Sequence, residues 1–130
     1  MTLVVARVLN EKILVLSDTR VTFTTARYRP APHLVLKVAI LNPDVCAAFA
    51  GDVDRAQMAI SSVDHSSDID SMMDHFLAAH LEGNLANPDF ILCTLRPKPE
   101  IIRIRDHAVE RGLRGRKEME FPFQSKSAWL

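Results

Sequence analysis

LVVARVLNEKILVLSDTR, residues 3–20, is the stretch on which the fold turns. Residues 3–9 are aliphatic and partly β-branched, and residues 12–17 (KILVLS) are a second such run. Asn10-Glu11 alone separates them, which is the length of a tight hairpin turn, so the two runs are expected to pair antiparallel. Both are apolar almost throughout, which predicts a sheet covered on both faces. Asp18-Thr19-Arg20 then puts polar groups directly at the end of a buried strand.

The same pattern repeats further on. After a Pro-interrupted connection at 27–33 (RYRPAPH), a third run covers 34–41 (LVLKVAIL) and a fourth 45–50 (VCAAFA). Asn42-Pro43-Asp44 lies between them. It is a strong turn signal, because Pro presets φ while Asn and Asp bond their own backbone. Gly51 ends the fourth run and the period changes. Val53, Ala56, Ile60 and Val63 mark a helix over 52–63. Ile69, Met72, Met73, Phe76 and Leu77 mark a second over 69–81, with an N-terminal cap in Ser67–Asp70 and a stop at Gly83. Strands follow at 90–95 and 100–105, joined by Arg96-Pro97-Lys98-Pro99. Four strands, two helices and two strands, in that order, imply an α+β layered sandwich with helices outside. Beyond Asp106 the chain is charged and Gly-broken, and residues 121–130 show no clear period.

Composition fits one folded domain. The chain has 130 residues, 48% hydrophobic and 25% charged, enough to bury a core without metal or disulfide help. Its formal net charge is zero, which argues against a strongly basic nucleic-acid surface and gives no pull towards a membrane. No apolar run is long enough to span a bilayer, and the N-terminus lacks a signal-peptide h-region, so the expected location is the cytoplasm.

Cys46 and Cys93 lie in separate apolar runs without CxxC spacing. They are expected to be buried free thiols in a reducing compartment rather than zinc ligands. His75 and His80 are five apart on a helix and do not share a face. With His33, His65 and His107 they are read as surface or helix-rim residues, and no metal is expected. Met58, Met72 and Met73 are read as core or helix-contact fillers. Arg111, Arg114, Arg116 and Lys117 alternate with Glu110, Glu118 and Glu120, which is the pattern of a solvated segment.

Three polar residues remain: Thr2, Asp18 and Lys37. Removal of Met1, expected before a small side chain, makes Thr2 the first residue. Its hydroxyl is then a nucleophile and its own α-amine, with an ordinary pKa of about 7.7–8.0, a base. Lys37 sits between Leu36 and Val38 in an apolar run. A buried cation needs a partner, and Asp18 is the candidate. Gly51, between strand and helix, can offer a backbone N–H to an oxyanion. Plainer readings stay open: a strand-end threonine, a solvated Asp18, a snorkelling lysine and a turn glycine.

These pieces resemble the N-terminal-nucleophile (Ntn) hydrolases of the proteasome β-subunit and HslV type. The matching segments are Thr2-Leu3-Val4-Val5-Ala6, Ser17-Asp18-Thr19-Arg20-Val21-Thr22, Lys37-Val38-Ala39-Ile40 with Asn42-Pro43, and Phe49-Ala50-Gly51. The intervals from Thr2 to Asp18 and from Lys37 to Gly51 match, and the segment between Arg20 and Lys37 is slightly longer here. The resemblance implies a four-layer αββα sandwich over residues 1–106, with 107–130 a divergent or truncated end in which the family's later supporting residues are not found.

It also implies Thr2 as nucleophile, Asp18 holding Lys37, Arg20 supporting the site and Gly51 as the oxyanion donor. Val21, Val35, Phe49 and Val53 match positions that wall the pocket for the residue before the cut. The implied function is a threonine-type endopeptidase with no cofactor, acting on polypeptides in a homo-oligomeric ring with a possible ATPase unfoldase. Two departures from that function stay open: a catalytically silent structural subunit, and an amidohydrolase of the same chemistry acting on a small amide. Asp52 replaces the second residue of the family's Gly-Gly or Gly-Ser pair. It reads either as a charge opposing the oxyanion or as a helix N-terminal residue facing solvent.

Overall fold

A computed structural model describes residues 3–19, 36–82 and 87–112, and the backbone of a strand at 127–129. The first hairpin forms as the two-residue spacing requires. β1 (Val4–Leu9) pairs antiparallel with β2 (Lys12–Ser17), from Leu9 opposite Lys12 to Val4 opposite Ser17. Asn10 turns the corner with φ at 57°, a conformation Asn tolerates. β8 (Ser127–Trp129) adds to the other edge of β1 and completes a three-stranded sheet.

The second sheet has five strands in the order β3-β4-β5-β6-β7. β3 (Val38–Asn42) and β4 (Val45–Ala50) make the Asn-Pro-Asp hairpin, in which the Asp44 N–H donates to Asn42 Oδ1 at 2.8 Å. β5 (Asp89–Thr94) returns beside β4, and β6 (Glu100–Arg105) beside β5. β7 (Ala108–Glu110) closes the edge through a two-residue turn at Asp106 and His107. Both turn residues have positive φ, 53° and 61°, as a type I′ hairpin demands.

Between β4 and β5 the chain makes α1 (Val53–Ser62) and α2 (Ile69–Leu81). Each starts on an aspartate whose carboxylate accepts from a first-turn N–H: Asp52 from Arg55 and Asp68 from Ser71. Their apolar stripes cover one face of the five-stranded sheet. Phe49, Ala56, Ala59, Met72, Phe76, Phe90, Leu92 and Ile104 form that core. The sheet's other face meets the first sheet through Val4, Ala6, Val8, Ala48, Ile91, Cys93 and Ile101. The described residues thus give three layers: sheet, sheet and helices.

Several expectations need correction. β2 is not covered on both faces. Ile13 and Val15 pack inward, whereas Leu14 and Leu16 are 48% and 59% exposed. Both helices go to the other sheet, and an apolar run does not say which of its faces a helix will reach. Met58 is 71% exposed and fills nothing. His80 is buried, not on a rim, because it continues the inward stripe of Met72 and Phe76 at four-residue spacing. β3 begins at Val38, one residue after Lys37, rather than at 34; residues 34 and 35 lie outside the described residues, as does Gly83. No helix among the described residues is long and apolar enough to cross a membrane.

Candidate active site

The register of the first hairpin carries the backbone past the end of the ladder. It brings Leu3 opposite Asp18, and the two bond twice. The Asp18 N–H donates to the Leu3 carbonyl at 3.0 Å, and the Leu3 N–H donates to Asp18 Oδ2 at 2.9 Å. The second carboxylate oxygen, Oδ1, accepts from Lys37 Nζ at 2.6 Å. One aspartate therefore clamps the start of β1 to a cation from the opposite sheet.

Lys37 is 1% exposed and Asp18 36%. The ammonium is inside the sandwich, and the carboxylate stands at its mouth. The hydrogen bond from Lys37 holds the Asp18 carboxyl below the usual carboxylate range, with help from the Leu3 N–H and against the cost of burial. The Lys37 carbonyl accepts from the Phe49 N–H at 3.1 Å, which ties the lysine's backbone to β4 two residues before Gly51.

Gly51 has two reasons to be glycine. Its φ is +99°, and a Cβ there would stand 3.3 Å from both the Asn87 carbonyl oxygen and Pro88 Cα. The Asn87-Pro88 segment is itself backed by His80. His80 Nδ1 donates to the Pro88 carbonyl at 2.8 Å, and Nε2 accepts from the His107 N–H at 3.1 Å. These two bonds select the neutral Nδ1–H tautomer, so the 3.6 Å approach of Nδ1 to Asp89 is a contact rather than an ion pair. Burial raises the Asp89 carboxyl above its ordinary value. This support of Gly51 was not foreseen in the sequence, although the Met72–Phe76–His80 spacing could have signalled it.

Asp52 beside Gly51 bonds the Arg55 N–H at 3.0 Å, so its carboxylate caps α1. That geometry favours the helix reading of Asp52 over a charge directed at an oxyanion. Phe49 is 1% exposed within the sheet–helix core, and Val53, half-buried, opens α1. Thr2, Arg20, Val21 and Val35 lie outside the described residues. Asp18, Lys37, Phe49 and Gly51 are thus linked through β1, β2, β3 and β4, with Val53 following.

No protein-family model and no curated protein matches the chain. Solved structures do. Eukaryotic HslV from Trypanosoma brucei aligns with a TM-score of 0.64 at 14% identity, over 98% of this chain and 70% of that one. The Anbu (Gly-1) mutant from Hyphomicrobium sp. strain MC1 aligns with a TM-score of 0.66 at 13% identity, over 100% of this chain and 60% of that one. What is shared is the fold. The chain is α+β, with two antiparallel sheets and helices arranged as in these two proteins, and it spans between three-fifths and seven-tenths of their length.

Proposed function

We propose that the chain is a threonine-type peptidase of the N-terminal-nucleophile class, with Thr2 as its nucleophile once the residue before it is removed. The observation that carries this reading is the bond from the Leu3 N–H to Asp18 Oδ2, whose other oxygen holds the buried Lys37. Leu3, which Asp18 binds, follows Thr2 directly in the sequence, and this supports the reading. The HslV and Anbu fold supports the reading at the level of architecture.

In this mechanism the Thr2 hydroxyl attacks the carbonyl carbon of a peptide bond, and its proton passes through a water to the Thr2 α-amine. The Lys37 ammonium is assigned to disfavour a second positive charge, so that the amine's pKa falls and it is a free base near neutral pH. The oxyanion of the tetrahedral intermediate accepts from the Gly51 N–H, a kind of contact worth about 2.7–4 kcal/mol in the transition state. The ammonium form of the terminus protonates the departing amine. Water then hydrolyses the acyl ester and frees Thr2.

Arg20 is assigned to support the site, and Val21, Val35, Phe49 and Val53 to an apolar pocket for the residue before the cut. The working form is a homo-oligomeric ring in the cytoplasm, with an unfolding ATPase as its possible partner. The exposed outer leucines of the first sheet, Leu14 and Leu16, favour such assembly.

Intact-mass analysis with a peptide electrophile that captures an N-terminal hydroxyl and amine tests the reading. Wild type is expected to begin at Thr2 and take one label, and Thr2→Ala none. A residue retained before Thr2, or peptide hydrolysis undiminished in Thr2→Ala, refutes it. A folded protein that begins at Thr2 yet takes no label is the silent subunit. One that is labelled but cleaves only small amides is the amidohydrolase.

A further inference from the structure

The two cysteines are far apart in sequence, but the fold sets them face to face. In the β4–β5 ladder Cys46 is the register partner of Cys93, and both are free thiols. Both side chains point into the layer between the two sheets, Cys93 buried and Cys46 half-buried at its margin. Ala48, two residues along β4, and Ala6 from β1 belong to the same layer and are small. The two cysteines therefore lie side by side across the strand pair.

Directly opposed residues of an antiparallel pair have Cα atoms about 4.5–5.5 Å apart, and disulfides span about 4.4–6.8 Å. The strand register therefore holds the two residues within the Cα range of a disulfide, and closing the bond asks only that the two Cβ atoms draw together. We propose that Cys46 and Cys93 form a dithiol that exchanges with a low-molecular-weight disulfide of the glutathione class and closes a cross-strand disulfide between β4 and β5.

The chemistry assigns distinct roles to the two thiols. Cys46 is the one within reach of solvent. The neighbouring Cys93 holds its thiol below the ordinary value, whereas the neighbouring Cys46 and burial push Cys93 up. The Cys46 thiolate attacks one sulfur of the external disulfide and expels a thiolate, which leaves a mixed disulfide on Cys46. Cys93 then gives up its proton to the expelled thiolate and attacks the Cys46 sulfur, releasing the second thiol. The protein loses two protons and two electrons, and the external disulfide takes them up to become two thiols. The link ties the start of β4, which runs on to Gly51, to the end of β5. It makes no use of Thr2 and stands apart from the proposed peptidase activity.

The test uses the full chain under native conditions, equilibrated with glutathione and glutathione disulfide at graded ratios, quenched in acid, alkylated and mapped by mass. The expected product is a monomer lighter by two hydrogens, with both cysteines closed to alkylation, a linked Cys46–Cys93 peptide, an unchanged far-UV circular dichroism spectrum and full reversal by dithiothreitol. Cys93→Ser is expected to stop at the mixed disulfide on Cys46, and Cys46→Ser to stay unmodified. A wild-type mixed disulfide that persists without closing overturns the proposal. So does a link between two chains, a product that has lost its sheet spectrum, or thiols that react only after the chain is denatured.

Discussion

Removing either half of the Asp18–Lys37 pair should have unequal effects, and the inequality follows from burial. Asp18→Ala leaves the Lys37 ammonium, 1% exposed, without its carboxylate. Losing one member of a buried ion pair typically costs about 3–5 kcal/mol. The mouth of the site is open on the Asp18 side, so water can reach part of the vacated space, and about 3 kcal/mol is the appropriate figure. Lys37→Met removes the buried charge and keeps an apolar stem. The carboxylate it leaves is 36% exposed and still accepts from the Leu3 N–H. It rehydrates, and the cost should be about 1 kcal/mol. Urea unfolding followed by far-UV circular dichroism measures the difference. At a slope of about 2 kcal/mol/M, the midpoint of Asp18→Ala should lie about 1 M below that of Lys37→Met. Equal midpoints, or the reverse order, would refute the claim that the ammonium is the desolvated member. Both variants should lose the Thr2 label, and Lys37→Met should lose it while folded, which separates chemistry from stability.

The other predictions rest on single contacts. Gly51→Ala should cost about 2 kcal/mol in urea, because φ of +99° is strained for alanine and its Cβ meets the Asn87-Pro88 backbone at 3.3 Å. His80→Leu should cost about 2–4 kcal/mol by the same measurement, since it orphans the buried Pro88 carbonyl and the His107 N–H together. Asp52→Ala should lower stability by about 1 kcal/mol and Asp52→Ser by much less, because serine keeps the cap. Neither should raise the rate of Thr2 labelling, as they would if the carboxylate opposed the oxyanion. In acid, the lowered pKa of Asp18 stabilises the fold fully above its unfolded value of about 3.9, and that contribution is lost as pH falls through the lower folded value. The stability gap between wild type and Asp18→Ala, from urea midpoints at successive pH values, should therefore shrink below about pH 4.

Much of this architecture was legible because hairpins and amphipathic helices are local. The predicted runs at 12–17 and 45–50 coincide with β2 and β4, and the helix at 69–81 coincides with α2. What escaped was short, or depended on distant pairing. β7 spans Ala108–Glu110, too few residues for a period to show, and Asp106-His107 is a turn whose positive φ values no side-chain pattern announces. The Cys46–Cys93 register depends on where β5 begins, after two helices and the segment that follows them, so nothing near either cysteine reveals it. His80 shares no face with His75, and its burial follows instead from the stripe of Met72 and Phe76, two turns long, that ends on it.

The ion pair is an intermediate case. Each partner stands out as a polar residue beside an apolar run, but their meeting is a property of register. The two-residue turn at Asn10-Glu11 fixes Leu9 opposite Lys12, and this same ladder brings Asp18 opposite Leu3. A turn one residue longer would slip the pairing and send alternate side chains to the other face. Ile13 and Val15 would then leave the core, Leu14 and Leu16 would enter it, and Asp18 would no longer meet the Leu3 N–H. The packing that makes the hairpin stable in one register is therefore also what holds Asp18 between Leu3 and Lys37. The inward packing of Ile13 and Val15 on β2, which carries no catalytic group, decides where the charged residues of the site can stand.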